Sequence, residues 1–206
     1  MFCTNCGKKC NDNDRFCGAC GHPLTPVAVV EPAPAAAGDK VYKLYFDAKG
    51  LTLFNYKFEI KDETGNVRYK AETVSESMIR YNAKLYDAND QEVIKVSQQF
   101  KMTFAAMNFD FLAPDGQVLT DAMQKMSMIN YTYTLGSYGI TLSGNFIKLC
   151  FDFVKDGKPI AHVDKKFLSW GDCYEISYSD PALEQILLAS VLMIQLVVAA
   201  QRRRRH

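Results

Sequence analysis

Charge of one sign is not in excess in this chain. In 206 residues, 24 Lys and Arg face 23 Asp and Glu, a formal net charge of +1. Four of those cations are Arg202, Arg203, Arg204 and Arg205 at the end of the sequence, and removing them from +1 leaves the rest at −3. A mildly acidic body argues against a polyanion such as nucleic acid as the partner, because phosphate neutralisation needs clustered cations. Histidine is scarce, with His22, His162 and His206 the only three. No Gly-x-Ser-x-Gly elbow, no phosphate loop ending in Gly-Lys-Ser/Thr and no His-Glu-x-x-His is present, so the common hydrolase, nucleotide and metalloprotease signatures are missing. The first residues pass directly into Cys3 and Cys6 without an apolar stretch of the kind a secretory leader carries. Seven cysteines in that setting are expected to be thiols or metal ligands of a cytoplasmic protein. What the chain does have is 48% hydrophobic and 12% aromatic residues, enough to bury a core.

Residues 1–24 are dense in cysteine and turn formers. Cys3-x-x-Cys6-Gly7 and Cys17-x-x-Cys20-Gly21 are two similar knuckles. Two residues between cysteines let both thiolates reach one ion from a tight turn, and the following glycine suits the positive φ of such a turn. Four thiolates make a closed tetrahedral site that zinc fills best, with no position left for substrate, so one structural Zn2+ held by Cys3, Cys6, Cys17 and Cys20 is expected. Cys10 and His22 break the knuckle symmetry and are read as bystanders. The segment resembles a zinc ribbon. Residues 25–38 carry three prolines, a run of alanines and one charge, and read as a semi-extended Pro/Ala linker.

From residue 39 onward the pattern becomes period-two, which marks strands. Tyr56, Phe58 and Ile60 alternate with Lys57, Glu59 and Lys61, a turn rich in Asp, Gly and Asn follows, and the chain returns through 67–71. The same hairpin logic repeats at 79–85 with 93–96, at 109–111 with 118–119, and at 147–153 with 160–163, the last around Asp156-Gly157. About a dozen short antiparallel strands are expected, and that number closes into a sandwich or barrel because open edges invite aggregation.

The strand region ends at Asp180-Pro181, an N-cap followed by a first-turn proline, so a helix is expected over 181–200. Its residues 186–200 are apolar on every side, so they must lie in lipid or inside protein. Fifteen residues span about 22 Å, short of a hydrocarbon layer of about 30 Å. Gln195 near the middle would find no amide partner in hydrocarbon. Burial inside the protein is therefore the preferred reading. A tail anchor, with the arginines on the cytosolic side, is the rival.

The hairpin series, Gly157 in the last hairpin, the run Ser169-Trp170-Gly171-Asp172-Cys173-Tyr174-Glu175-Ile176, and then Asp180-Pro181 and the apolar helix resemble the tubby and LURP-one-related superfamily, which includes the phospholipid scramblases. The resemblance covers about residues 40–201. It implies a mainly β fold, a closed twelve-stranded antiparallel barrel over 39–201 threaded by its own C-terminal helix, followed by a basic tail at 202–206. It also implies recognition of anionic phospholipid or of a protein partner, or, in the rival reading, a scramblase-like protein whose helix inserts into lipid. Candidate anion-binding residues are Lys57, Lys61, Arg68, Lys70, Arg80 and Lys84 on the strands, and Arg202, Arg203, Arg204 and Arg205 in the tail. No small-molecule substrate and no nucleic acid is expected. His162 is read as an ordinary strand histidine, Cys150 and Cys173 as buried inert thiols, and Asp152, Asp156 and Asp164 as carboxylates that nothing in the periodicity brings together. The expected function is that of a non-enzymatic adaptor or binding protein, cytoplasmic or peripheral at the membrane.

Overall fold

The computed structural model describes residues 40–47, 57–77, 80–99, 107–126, 131–168 and 171–203. Twelve strands among them form one closed antiparallel barrel: β1 (Tyr42–Asp47), β2 (Lys57–Lys61), β3 (Val67–Ser77), β4 (Arg80–Asp87), β5 (Glu92–Gln98), β6 (Phe109–Leu112), β7 (Val118–Met126), β8 (Tyr131–Leu135), β9 (Ile140–Asn145), β10 (Cys150–Lys155), β11 (Lys158–Leu168) and β12 (Gly171–Tyr178). Each strand pairs with its neighbours in sequence. The wall closes where β1 meets β12, in register from Tyr42 opposite Tyr178 to Asp47 opposite Cys173. Closure removes the unpaired edges that a twelve-strand meander would otherwise expose.

The turns follow side-chain chemistry visible in the sequence. Asp62 Oδ1 accepts the backbone N–H of Thr64 and of Asn66, and Asp87 Oδ1 accepts those of Asn89 and Gln91. An aspartate at the start of each turn thus satisfies the donors that the ladder leaves free. Between β10 and β11 the turn residues Asp156 and Gly157 both have positive φ (50° and 74°), the conformation whose twist matches paired strands.

Alternation places Phe58 and Ile60 inward from β2, Tyr69 and Ala71 from β3, Ala83 and Leu85 from β4, and Phe151 and Phe153 from β10. They meet the helix α1 (Glu184–Arg203), which follows a 3-10 turn at Pro181–Leu183. Asp180 caps the turn, its Oδ1 accepting from the Ala182 N–H at 2.9 Å. Every residue of α1 from Ile186 to Val197 is at most 4% exposed. Twelve consecutive helical residues cover more than three turns, so the helix is enclosed on all sides, as the apolar run required. The helix is also longer than that run, because Arg202 and Arg203 form its last turn. Arginine is a good helix former, and cations are favoured at that end of the helix dipole. At twenty residues, α1 spans about 30 Å. Length alone therefore does not exclude a membrane span, and enclosure within the barrel does the discriminating.

Candidate functional site

The four knuckle cysteines, Cys3, Cys6, Cys17 and Cys20, together with Cys10, His22 and the linker 25–38, lie outside the described residues. The strand-borne cations lie within them, apart from the side chain of Arg80. On β2 to β4 the outward residues form alternating rows, since Lys57 pairs with Glu72, Glu72 with Lys84, and Glu59 with Lys70. Each of the lysines has a carboxylate nearby: Lys57–Glu72 at 3.7 Å, Lys61–Glu59 at 3.1 Å, Lys70–Asp90 at 2.7 Å and Lys84–Glu92 at 2.8 Å. The bond to Glu92 raises the Lys84 pKa above its ordinary value. Exposed pairs of this kind contribute little to stability, about 0–1 kcal/mol. They do change the surface, because an incoming anion must displace a carboxylate at every lysine.

Arg68 behaves differently. Its guanidinium reaches the mouth of the barrel, where Nη2 lies 3.4 Å from Oε1 of Glu184, the buried first residue of α1. The Tyr178 hydroxyl donates to the other oxygen of the same carboxylate. Burial, then the hydrogen bond to Glu184, pushes the Tyr69 phenol up to about 12 and the Tyr178 phenol higher still. The contact ties the start of the helix to β3, while the Arg68 side chain itself remains exposed. Arg202 is exposed at the opposite end of α1, about 27 Å away at the helical rise of about 1.5 Å per residue. The structure therefore does not bring Arg68 and Arg202 together. Arg203 lies in the helix, and Arg204 and Arg205 lie outside the described residues.

The β10–β11 hairpin departs from the sequence expectation. Cys173 is buried, its Sγ 3.7 Å from the Lys166 carbonyl oxygen, but Cys150 is exposed. Its outward position follows from the inward one of Phe151. Burial, followed by the charges of Asp164 and Asp152, raises the Cys150 thiol above its ordinary value. Partial desolvation first, and the two carboxylates second, thus disfavour its thiolate even though the residue is exposed. His162 is not an isolated strand histidine either: its Nδ1 lies 2.7 Å from Asp152 Oδ1. Hairpin pairing, which single-strand periodicity does not report, brings Asp152 and Asp164 to the same patch as His162. The Asp156-Gly157 turn marks in the sequence that these strands fold back on each other, but the register that makes the patch is set by a bulge between Phe153 and Val154.

Comparison with known proteins places these features in a family. The model for LURP-one-related proteins matches residues 42–195, and that for the zinc-ribbon domain matches residues 2–24. A crystal structure of a protein from Arabidopsis thaliana superposes with a TM-score of 0.50 at 12% identity, covering 74% of this chain and 90% of that one, which supports the fold. No curated protein matches the sequence significantly. The barrel closed by β1 on β12, the enclosed helix and the family match over three-quarters of the sequence give one conclusion: the chain belongs to the LURP-one-related family and carries a zinc-ribbon domain ahead of its barrel.

Proposed function

We propose that this protein is a non-enzymatic, cytoplasmic adaptor that works at the surface of anionic membranes, binding through its exterior and its basic C-terminal end. The observation that carries this reading is the enclosed helix. With residues 186–197 filling the barrel, the space that would hold a small-molecule substrate in a hollow barrel is occupied by the chain itself. Recognition is thereby left to outer surfaces. On the strand face each described lysine named above already has a carboxylate neighbour. The run Arg202 to Arg205 is therefore the stretch where positive charge accumulates, and each residue near an anionic leaflet adds about 1 kcal/mol of attraction. In the ribbon, the donor chemistry of Cys3, Cys6, Cys17 and Cys20 fits one structural Zn2+, which would supply the folding energy that so short a segment lacks.

Vesicle flotation of the full chain tests the membrane reading. Association is expected with vesicles containing phosphatidylserine or phosphoinositide, weaker at high salt, and lost when the four arginines are replaced by alanine. Replacing Lys57, Lys70 and Lys84 should leave it nearly unchanged. No association, or association indifferent to both salt and the arginines, overturns the reading. Resistance of the natively expressed chain to carbonate extraction would overturn it in favour of an inserted helix.

A further inference from the structure

One face of the β10–β11 hairpin collects four donor side chains of the kinds that bind metal. Cys150 and Asp152 lie two apart on β10 and point away from the core that Phe151 and Phe153 enter. His162 and Asp164 do the same on β11, opposite in sense to Ala161 and Val163. Pairing sets Asp152 across from His162, and Cys150 and Asp164 lie one step beyond the Phe151–Val163 pair. As a result, the Cys150 sulfur, a ring nitrogen of His162 and a carboxylate oxygen of Asp164 all lie within 4.8 Å of one another.

We infer that Cys150, His162 and Asp164 form a surface site for a zinc-class divalent ion, distinct from the cysteine knuckles, with Asp152 as the carboxylate that orients His162. The donor types select the ion. Sulfur, imidazole and carboxylate together suit borderline cations such as Zn2+, whereas Ca2+ and Mg2+ take oxygen ligands. Bond lengths of about 2.0–2.3 Å put the edges of a zinc tetrahedron at about 3.3–3.8 Å. Separations within 4.8 Å leave at most about 1–1.5 Å to close, within reach of side-chain rotation on a fixed backbone. Asp152 Oδ1 accepts from His162 Nδ1–H at 2.7 Å, which leaves Nε2 as the ligating nitrogen, the arrangement by which carboxylates position metal-bound histidines. The platform is held on both sides, since β10 also pairs with β9 and β11 with β12. The turn leading into Cys150 is held by Asn145 Oδ1, which accepts from the Lys148 N–H at 3.1 Å. Lys166 stands 3.9 Å from Asp164 Oδ2 on an exposed side chain and is easily displaced. Three protein ligands leave a fourth position for water or for a donor from another molecule, so this site exchanges its ion more readily than a four-thiolate knuckle pair.

Zinc titration of the full-length chain against a chromophoric indicator, with elemental analysis, tests the site. Two equivalents are expected, one tight and one exchangeable. His162→Ala and Cys150→Ser should each lose the exchangeable equivalent alone, and Asp152→Asn should weaken it about 10- to 100-fold. Cys17→Ser should lose the tight one and retain the exchangeable one. Circular dichroism confirms that each variant is folded, and Asp164→Asn replaces any that is not. A single equivalent removed by Cys17→Ser, or a second equivalent indifferent to both His162→Ala and Cys150→Ser, overturns the site. A single equivalent removed by His162→Ala supports it while refuting the ribbon zinc.

Discussion

The Tyr178 hydroxyl, on the last strand, donates to the carboxylate of Glu184, on the first turn of the helix that follows. Arg68 of β3 reaches the same carboxylate, so Glu184 ties β12 and β3 across the seam formed by β1 and β2. Described pairing between β1 and β2 is limited to Tyr45 with Lys61 and Phe46 with Ile60. The clamp therefore bridges the seam with the fewest described pairs and at the same time ties down the start of the helix.

Removing either partner of that bond should loosen the barrel mouth. Tyr178→Phe and Glu184→Gln are each expected to cost about 1–3 kcal/mol, because a buried polar group loses its partner. A double-mutant cycle by chemical denaturation should show clear coupling between the two, whereas strictly additive effects would mean that they act independently.

Gln195 sits 3% exposed inside the barrel, and neither its Oε1 nor its Nε2 has a hydrogen-bond partner among the described residues. An unpaired buried amide is a cost, and a leucine of similar size removes it. Gln195→Leu is therefore expected to stabilise the fold by about 1–3 kcal/mol, measurable as a raised thermal midpoint. A loss of stability would reveal that something inside the barrel hydrogen-bonds to this amide.

The raised tyrosines predict the alkaline limit. For Tyr69 and Tyr178, burial first and Glu184 second disfavour the phenolate, so the folded pKa exceeds the ordinary value of 10.0. The folded state therefore binds these protons more tightly than the unfolded state. The resulting stability is complete below about pH 10 and is lost as pH rises from there through the folded values, about 12 for Tyr69. Denaturation midpoints measured from about pH 9 upward should fall for the parent, and fall less for a Tyr69→Phe/Tyr178→Phe double variant. Equal slopes would disconnect these residues from the transition.

Gly144 has φ of 143°, and a Cβ built there would lie 2.6 Å from the Phe151 Cα and 2.7 Å from the Cys150 carbonyl oxygen. Those neighbours are backbone and cannot step aside. Gly144→Ala is expected to cost about 2–4 kcal/mol from strain and overpacking together. Gly65→Ala, with a positive φ but open space around it, serves as the comparison and should cost less. Similar losses at the two positions would refute the steric account.

Much of the architecture is legible in local chemistry. Alternation at Phe58 and Ile60, the capping carboxylates of Asp62 and Asp87, and Asp180 ahead of Pro181 each encode an element through groups a few residues apart. The carboxylate neighbours of Lys57, Lys70 and Lys84 were not legible, because Glu72 meets Lys57, and Asp90 meets Lys70, only across strand pairs. The hairpin cluster was hidden twice over. Counting back from the two-residue turn at Asp156 and Gly157 places Asp152 opposite Ala161. A bulge between Phe153 and Val154 shifts the ladder by one and moves Asp152 opposite His162.

The sequence by itself determined that this chain would make antiparallel hairpins, one fully apolar helix and two cysteine knuckles, since period-two patterning, turn residues and ligand spacing are all short-range properties. Tertiary structure alone decided that the sheet wraps that helix, that Glu184 is its latch, and that Cys150, His162 and Asp164 share a face. Those outcomes depend on barrel closure and strand register, which bring together residues whose separation along the chain carries no record of their meeting.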